Sequence, residues 1–186
     1  PPLRSSAASD VYKRQNGTDS LQIALMSLKL KPGDEVITSD FAFVSVVEVI
    51  SLLNLKPVLV DVNSDTFNID PLAIEKAITP RTKAIIPVHL FGQTADMEQI
   101  LVLAKKYNLF VIEDNAQAIG ADCTFSDGTI AKAGTLGHVS ATSFFPSKNL
   151  GAYGDGGAIF TNDDNLAELI RGIVNHGMYN RYCHDI

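Results

Sequence analysis

The segment Ser143-Phe-Phe-Pro-Ser-Lys-Asn-Leu-Gly-Ala-Tyr-Gly-Asp-Gly-Gly157 sets a lysine directly after an apolar run and ahead of a glycine-rich loop. Glycines let a backbone approach something bulky. In low-dielectric surroundings the ammonium of Lys148 would lose its proton more readily and become a nucleophile that forms a Schiff base with a carbonyl. A solvated loop lysine is the plainer alternative. Asp114 closes the run Phe110-Val-Ile-Glu113 and so falls at the carboxyl end of a strand, where it can anchor a cation or merely cap the next turn. Asn16-Gly-Thr-Asp-Ser20 opens a helix with small polar residues, and its free N–H groups can hold a phosphate against the positive end of the helix dipole. Ordinary capping explains the same residues, and the Gly-x-x-x-x-Gly-Lys spacing of a nucleotide loop is missing.

Together these three features are the minimum set for pyridoxal 5'-phosphate, which needs its phosphate held, its ring nitrogen kept protonated and its aldehyde captured. The elements that must position them follow from periodicity. Leu21, Leu25 and Leu28 mark a helix from the Asn16 cap to before Pro32-Gly33, and Glu35 to Thr38 reads as a strand. Phe43 to Leu53 reads as a helix, Pro57 to Asp61 as a strand, and Asp70-Pro71 opens a short helix through Ala77. Lys83 to Pro87 is a strand, Ala95 to Tyr107 a helix and Leu109 to Ile112 a buried strand. After a looser stretch containing glycines, His138 to Phe144 and Ala158 to Thr161 read as strands and Leu166 to Val174 as a helix. This alternation predicts an α/β fold, a mainly parallel (mixed) sheet with helices on both faces, whose ligand site lies outside the strands' carboxyl ends.

Composition narrows the function classes. With 186 residues, 46% hydrophobic and 19% charged, the chain has the mix of one globular domain. The richest apolar run, Val44 to Leu55, is broken by Ser45, Glu48, Ser51 and Asn54, well short of the roughly 18 residues of a membrane span. A net charge of -6 argues against a nucleic-acid partner. Cys123 and Cys183 have neither disulfide-framework nor metal-ligand spacing, so no metal is expected and a reducing, cytoplasmic setting fits. Residues 1–15 lack apolar periodicity and a signal-peptide core; Ser5 to Gln15 resembles translated adaptor sequence, so the fold is expected to begin at Asn16. The end at His184-Asp-Ile186 comes soon after the last helix, which reads as a fragment.

The chain resembles the DegT/StrS family of sugar aminotransferases, which have the fold type I architecture of pyridoxal-phosphate enzymes. The resemblance runs from Asn16 to about Tyr182 on Gly17-Thr-Asp-Ser-Leu21, Pro32-Gly-Asp-Glu-Val36, Phe43-Val44, Pro57 to Asp61, Ile86-Pro-Val-His-Leu-Phe-Gly-Gln93, Ile112-Glu-Asp-Asn-Ala-Gln-Ala118, Ser143 to Leu150 and Gly154-Asp-Gly-Gly157. It implies that residues 16–186 are the cofactor-binding large domain, ending before a C-terminal small domain, and that this chain alone is inactive. It further implies that Lys148 is the Schiff-base lysine and proton carrier and that Asp114 pairs with the pyridinium nitrogen. Gln117 would stand next to the phenolic oxygen. Gly17, Thr18 and the backbone at Asp19 would cradle the phosphate with the Ser143 hydroxyl, and Phe43 would stack on the ring. His89 lies in a family motif but reads as a packed or hydrogen-bonded histidine.

The implied activity is amino transfer, with glutamate as donor, to a keto group of a nucleotide-linked sugar, by a homodimer. Two departures from the family, Asn115 in place of a small residue and the stretch Asp40 to Ala42, point to a remodelled pocket near the sugar. Two alternatives stand beside amino transfer. A dehydratase of the family carries histidine in place of the lysine, against which Lys148 speaks, and a non-catalytic binder of cofactor or sugar nucleotide would have no need of Lys148 and Asp114. The sugar, its keto position and the donor are not encoded in these motifs.

Overall fold

The computed structural model describes residues 10–14, 16–175, 177–180 and 183–184. In chain order the elements are β1 (Asp10–Arg14), α1 (Gly17–Ser27), β2 (Glu35–Ser39), α2 (Ser45–Leu52), β3 (Lys56–Val60), α3 (Pro71–Ala77), β4 (Thr82–Ile86), α4 (Met97–Tyr107), β5 (Phe110–Asp114), β6 (Asp122–Thr124), β7 (Ile130–Lys132), β8 (Val139–Ser143), β9 (Gly157–Thr161), α5 (Asp164–Val174), β10 (Met178–Asn180) and β11 (Cys183–His184). A 3-10 turn spans Leu90–Gly92. Four of the helices start on a side chain that accepts a first-turn amide: Asn16 from Asp19, Asp70 from Leu72, Asp96 from Gln99 and Asp163 from Asn165 and Leu166. Such caps contribute about 1 kcal/mol each. The exception, α2, begins at Ser45 with no side-chain cap, two residues later than periodicity predicts, which leaves Phe43 ahead of the helix.

The main sheet has seven strands in the order β1-β9-β8-β5-β4-β2-β3. The pairs β2–β3, β2–β4, β4–β5 and β5–β8 are parallel, whereas β8–β9 and β1–β9 are antiparallel. The sheet is therefore mixed and mostly parallel, as the alternation of elements predicts. The strand β1 differs from the expectation that the fold begins at Asn16, because Asp10–Arg14 pairs along the whole of β9. Edge pairing needs only main-chain groups, so no apolar pattern announces it. Residues 1–9 and 15 of the adaptor-like segment lie outside the described residues. The hairpin of β6 and β7 falls in the stretch read as loose, since three-residue strands carry too little alternation to register.

Strand alternation divides the core in two. Val36, Ala84, Ile86, Ile112, Val139 and Ala141 pack against Leu21 and Leu25 of α1, Val46 and Ile50 of α2, and Leu166 and Ile170 of α5. Ile37, Ile85 and Val111 pack on the other face against Ile74 of α3 and Met97, Ile100 and Leu103 of α4. The same two-residue period decides which way the polar strand ends point. Asp114, two past Ile112, and Ser143, two past Ala141, belong to the α1 side; Glu113, two past Val111, belongs to the α4 side.

The amino ends of β2, β3 and β4 are tied by a buried carboxylate. Glu35 accepts from the Thr79 hydroxyl, from Arg81 at 2.7 and 3.2 Å and from Lys56 at 3.2 Å. These partners, Thr79 first, hold its pKa at about 2 against the opposing effect of burial.

Candidate functional site

A cavity of about 420 Å³ opens at the carboxyl ends of β4, β5 and β8, on the α1 side. Seven of the residues singled out in the sequence line it: Gly17, Thr18, Phe43, Asp114, Gln117, Ser143 and Lys148. They come from four separate stretches of chain, which is what the open edge of a parallel sheet makes possible.

The start of α1 is pressed onto the end of β8. A Cβ on Gly17 would stand 2.7 Å from the Ser143 Cβ and 3.2 Å from its Oγ, and one on Gly157 would run into the carbonyl of Asn16. Only glycine allows this approach, which brings the first amides of α1 beside the Ser143 hydroxyl. The amides of Gly17 and Thr18 have no acceptor within the helix. Asp19 is different: its N–H donates to Asn16 Oδ1 at 2.8 Å, and it does not line the cavity. Its amide, expected from the sequence to face a phosphate, is engaged by the helix cap instead.

Asp114 is buried at the end of β5, where its Oδ1 accepts from the Ala116 N–H at 3.0 Å. Burial pushes its pKa up, against the pull of that N–H and of the nearby Lys148 ammonium. A carboxylate with so few partners gains most from a further cation. Three residues on, Gln117 lies with its Oε1 accepting from the Phe91 N–H at 2.8 Å, so its amide is oriented by the tight turn at Leu90–Gly92. Lys148, half-buried, follows the tight turn in which its own N–H donates to the Phe145 carbonyl at 2.8 Å. Phe43, just ahead of α2, is 67% exposed at the mouth of the cavity.

Ser45, Phe145, Ser147 and Asp155 also line the cavity and were not singled out from the sequence. Asp155 had a signal, since it sits inside Gly154-Asp-Gly-Gly157; Ser45 had none, because only the late start of α2 brings it to the rim. His89 is wholly buried between Glu113 and Ala95, as a packed and hydrogen-bonded histidine should be. Asn115, expected to remodel a sugar pocket, points to the opposite face: it is buried, with Nδ2 donating to the Ala133 carbonyl at 3.3 Å. Period-two alternation explains this, because Asn115 shares the side of Glu113 and not that of Asp114. Among the described residues no group of three or more metal-ligating acidic, histidine or cysteine side chains occurs, and no helix is long and apolar enough to cross a membrane.

Comparison with known proteins places this geometry in context. The profile of the DegT/DnrJ/EryC1/StrS aminotransferase family matches residues 9–186. The chain is 55% identical over 169 residues to the UDP-2-acetamido-2-deoxy-3-oxo-D-glucuronate aminotransferase of Pseudomonas aeruginosa, covering 91% of this chain and 46% of the relative. Among solved structures it is similar to DesV of S. venezuelae in complex with a ketimine intermediate, with a TM-score of 0.88, 40% identity and coverage of 97% of this chain and 47% of that one. It is likewise similar to NtdA of Bacillus subtilis with bound cofactor PMP, with a TM-score of 0.87, 38% identity and coverage of 96% and 39%. The chain thus spans about half the length of the relatives it matches.

Proposed function

Because this chain belongs to the DegT/DnrJ/EryC1/StrS aminotransferase family, we propose that the protein is a pyridoxal-5'-phosphate-dependent aminotransferase that moves an amino group from glutamate onto a keto group of a nucleotide-linked sugar. The observation that carries the reading is the convergence of Lys148, Asp114, Gln117, Ser143 and the start of α1 on one cavity. The residues fit the cofactor at both ends, with the Gly17 close approach making a small concave seat for an anion and a buried, sparsely partnered carboxylate waiting for a cation.

When bound, the cofactor supplies an electrophilic aldehyde and a ring that accepts an electron pair from the carbon losing its proton. The protein's part is to hold and to move protons. The amides of Gly17 and Thr18 and the Ser143 hydroxyl would donate to the phosphate. The Asp114 carboxylate would keep the ring nitrogen protonated by pairing with it. Gln117, its oxygen already engaged by Phe91, would offer its NH2 group to the ring oxygen. Lys148 Nζ would capture the aldehyde and then, once displaced by an incoming amine, carry the proton between the substrate carbon and the cofactor's aldehyde carbon. Phe43 would cover one ring face.

The proposed enzyme works as a homodimer in the cytoplasm. Support for the first comes from the apolar side chains exposed at the cavity, Phe43 and Phe145, and on the loop that follows Lys148, Leu150 and Tyr153, and for the second from the free buried thiol of Cys123. The Pseudomonas relative's name specifies a 3-oxo sugar on UDP, so a UDP-linked 3-keto sugar is the first substrate to try. In the full-length protein, isotope-labelled glutamate should pass its nitrogen to the sugar nucleotide, read by mass spectrometry, and Lys148→Ala should abolish the transfer. A protein that binds both cofactor and sugar nucleotide yet transfers no label contradicts the reading.

A further inference from the structure

Directly behind the cavity, on the α4 side of β5, lies a polar cluster that the proposed reaction does not use. The side chains of Glu113 and His89 are both wholly buried. Glu113 Oε2 accepts from His89 Nε2 at 2.9 Å and from the Gly134 N–H at 2.7 Å, and Oε1 accepts from the N–H groups of Leu136 and Gly137. Four donors fill the acceptor sites of one carboxylate. The His89 ring is fixed from both sides, because Nδ1 accepts from the Ala95 N–H at 3.1 Å, which leaves Nε2 as the donor to Glu113.

This cluster grips the main chain that carries the site. The His89 N–H donates to the Asp114 carbonyl at 3.0 Å and the Asp114 N–H to the Pro87 carbonyl at 2.9 Å. Immediately after His89 comes the turn whose Phe91 N–H holds Gln117. One side chain thus ties three pieces of backbone together: the 134–137 loop, the 87–91 segment and the end of β5.

We infer that Glu113, acting through His89, is a positioning residue that sets the placement of Asp114 and Gln117 in the cavity. The inference rests on the proposed reading of the cavity as a cofactor site. Glu113, on β5, and His89, just after β4, are both absent from the cavity lining, so neither touches the ligand.

The test compares Glu113→Gln with Glu35→Gln, since both remove a buried, fully bonded carboxylate and Glu35 lies at the opposite, amino end of the strands. Melting temperatures should fall for both. Below the melts, titration with pyridoxal phosphate should show roughly tenfold or greater weakening for Glu113→Gln and none for Glu35→Gln, the effect expected of a group that orients a binding residue. Without cofactor, amide NMR shifts of Asp114, Ala116 and Gln117 should move in the first variant and stay in the second. Equal cofactor affinity with unmoved amides overturns the inference. If Glu113→Gln does not fold, His89 supplies the second arm. His89→Gln can still donate to Glu113 from the Nε2 position and should keep the wild-type shifts at Asp114 and Gln117. His89→Asn can replace only the Nδ1 acceptor and should move them; identical spectra for the two also overturn the inference. If the wild-type protein binds no pyridoxal phosphate, the function proposed above fails, while the NMR comparison still decides the positioning role.

Discussion

Glu113 and Asp114 are neighbours on one strand, carry the same functional group and are both buried, yet their surroundings are opposite. Glu113 faces the α4 side, where three backbone amides and a histidine saturate it. Asp114 faces the α1 side and has one amide, with burial holding its pKa above the ordinary range. A saturated carboxylate is finished as structure; one left short of partners keeps binding energy for something that arrives later. The two-residue period of the strand is all that separates these fates.

The largest effect that would break this contrast is on Glu113. Glu113→Ala strands three amides and the His89 Nε2–H in the interior and should cost about 3–5 kcal/mol of unfolding free energy in a urea titration. A loss under about 1 kcal/mol would mean that the network is not structural.

Asp114→Asn should behave in the reverse way. On the proposed function, turnover of the full-length protein should fall on the order of 100-fold or more, the scale of losing a positioned charge in a site. The unliganded protein should instead become more stable at neutral pH. Because burial raises the folded-state pKa of Asp114 above its ordinary 3.8, its contribution is fully present below 3.8 and is lost as pH rises through the folded value. The variant's advantage should therefore vanish in melts run below pH 3.8. A variant less stable than wild type at neutral pH would place Asp114 with Glu113 rather than opposite it.

Glu35 sharpens the comparison as a third buried carboxylate. Its folded pKa is lowered from 4.5 to about 2, so its contribution is full above 4.5 and disappears as pH falls toward 2. The gap in melting temperature between wild type and Glu35→Gln should close over that window, whereas a gap independent of pH would show that Thr79, Arg81 and Lys56 do not act through charge. The smallest effect belongs to the cap of α1. Asn16→Ala frees the Asp19 amide and should cost about 1 kcal/mol, and cofactor binding that improves in the same variant would show the Asp19 amide competing with the cap for a phosphate.

What the sequence disclosed and what it hid follow the same division. Asp114, Lys148 and the Asn16–Ser20 turn were legible because each sits at a local boundary, a strand end, a glycine-rich loop or a helix start, whose geometry a short window reveals. The mostly parallel sheet was legible from the alternation of strand and helix patterns along the chain. The partners of Glu113 were not, since His89 lies 24 residues before it and the amides of Gly134, Leu136 and Gly137 lie 21 to 24 after it. Sheet order and a loop that closes over the α4 side bring them together, and no local pattern encodes either. Asn115 misled for a related reason: adjacency to Asp114 in sequence puts it on the opposite face. The Asp19 amide, read as a phosphate donor, donates in this structure to the Asn16 cap, because cap and phosphate site draw on the same donors.

The most direct test of the proposal that this cavity captures an aldehyde is chemical. Pyridoxal phosphate is added to the protein, the mixture is reduced with borohydride, and the pyridoxyl-labelled peptide is identified by mass spectrometry. The geometry predicts label concentrated on Lys148. Label spread over exposed lysines such as Lys29 and Lys31, in a protein whose circular dichroism shows it folded, would contradict the account.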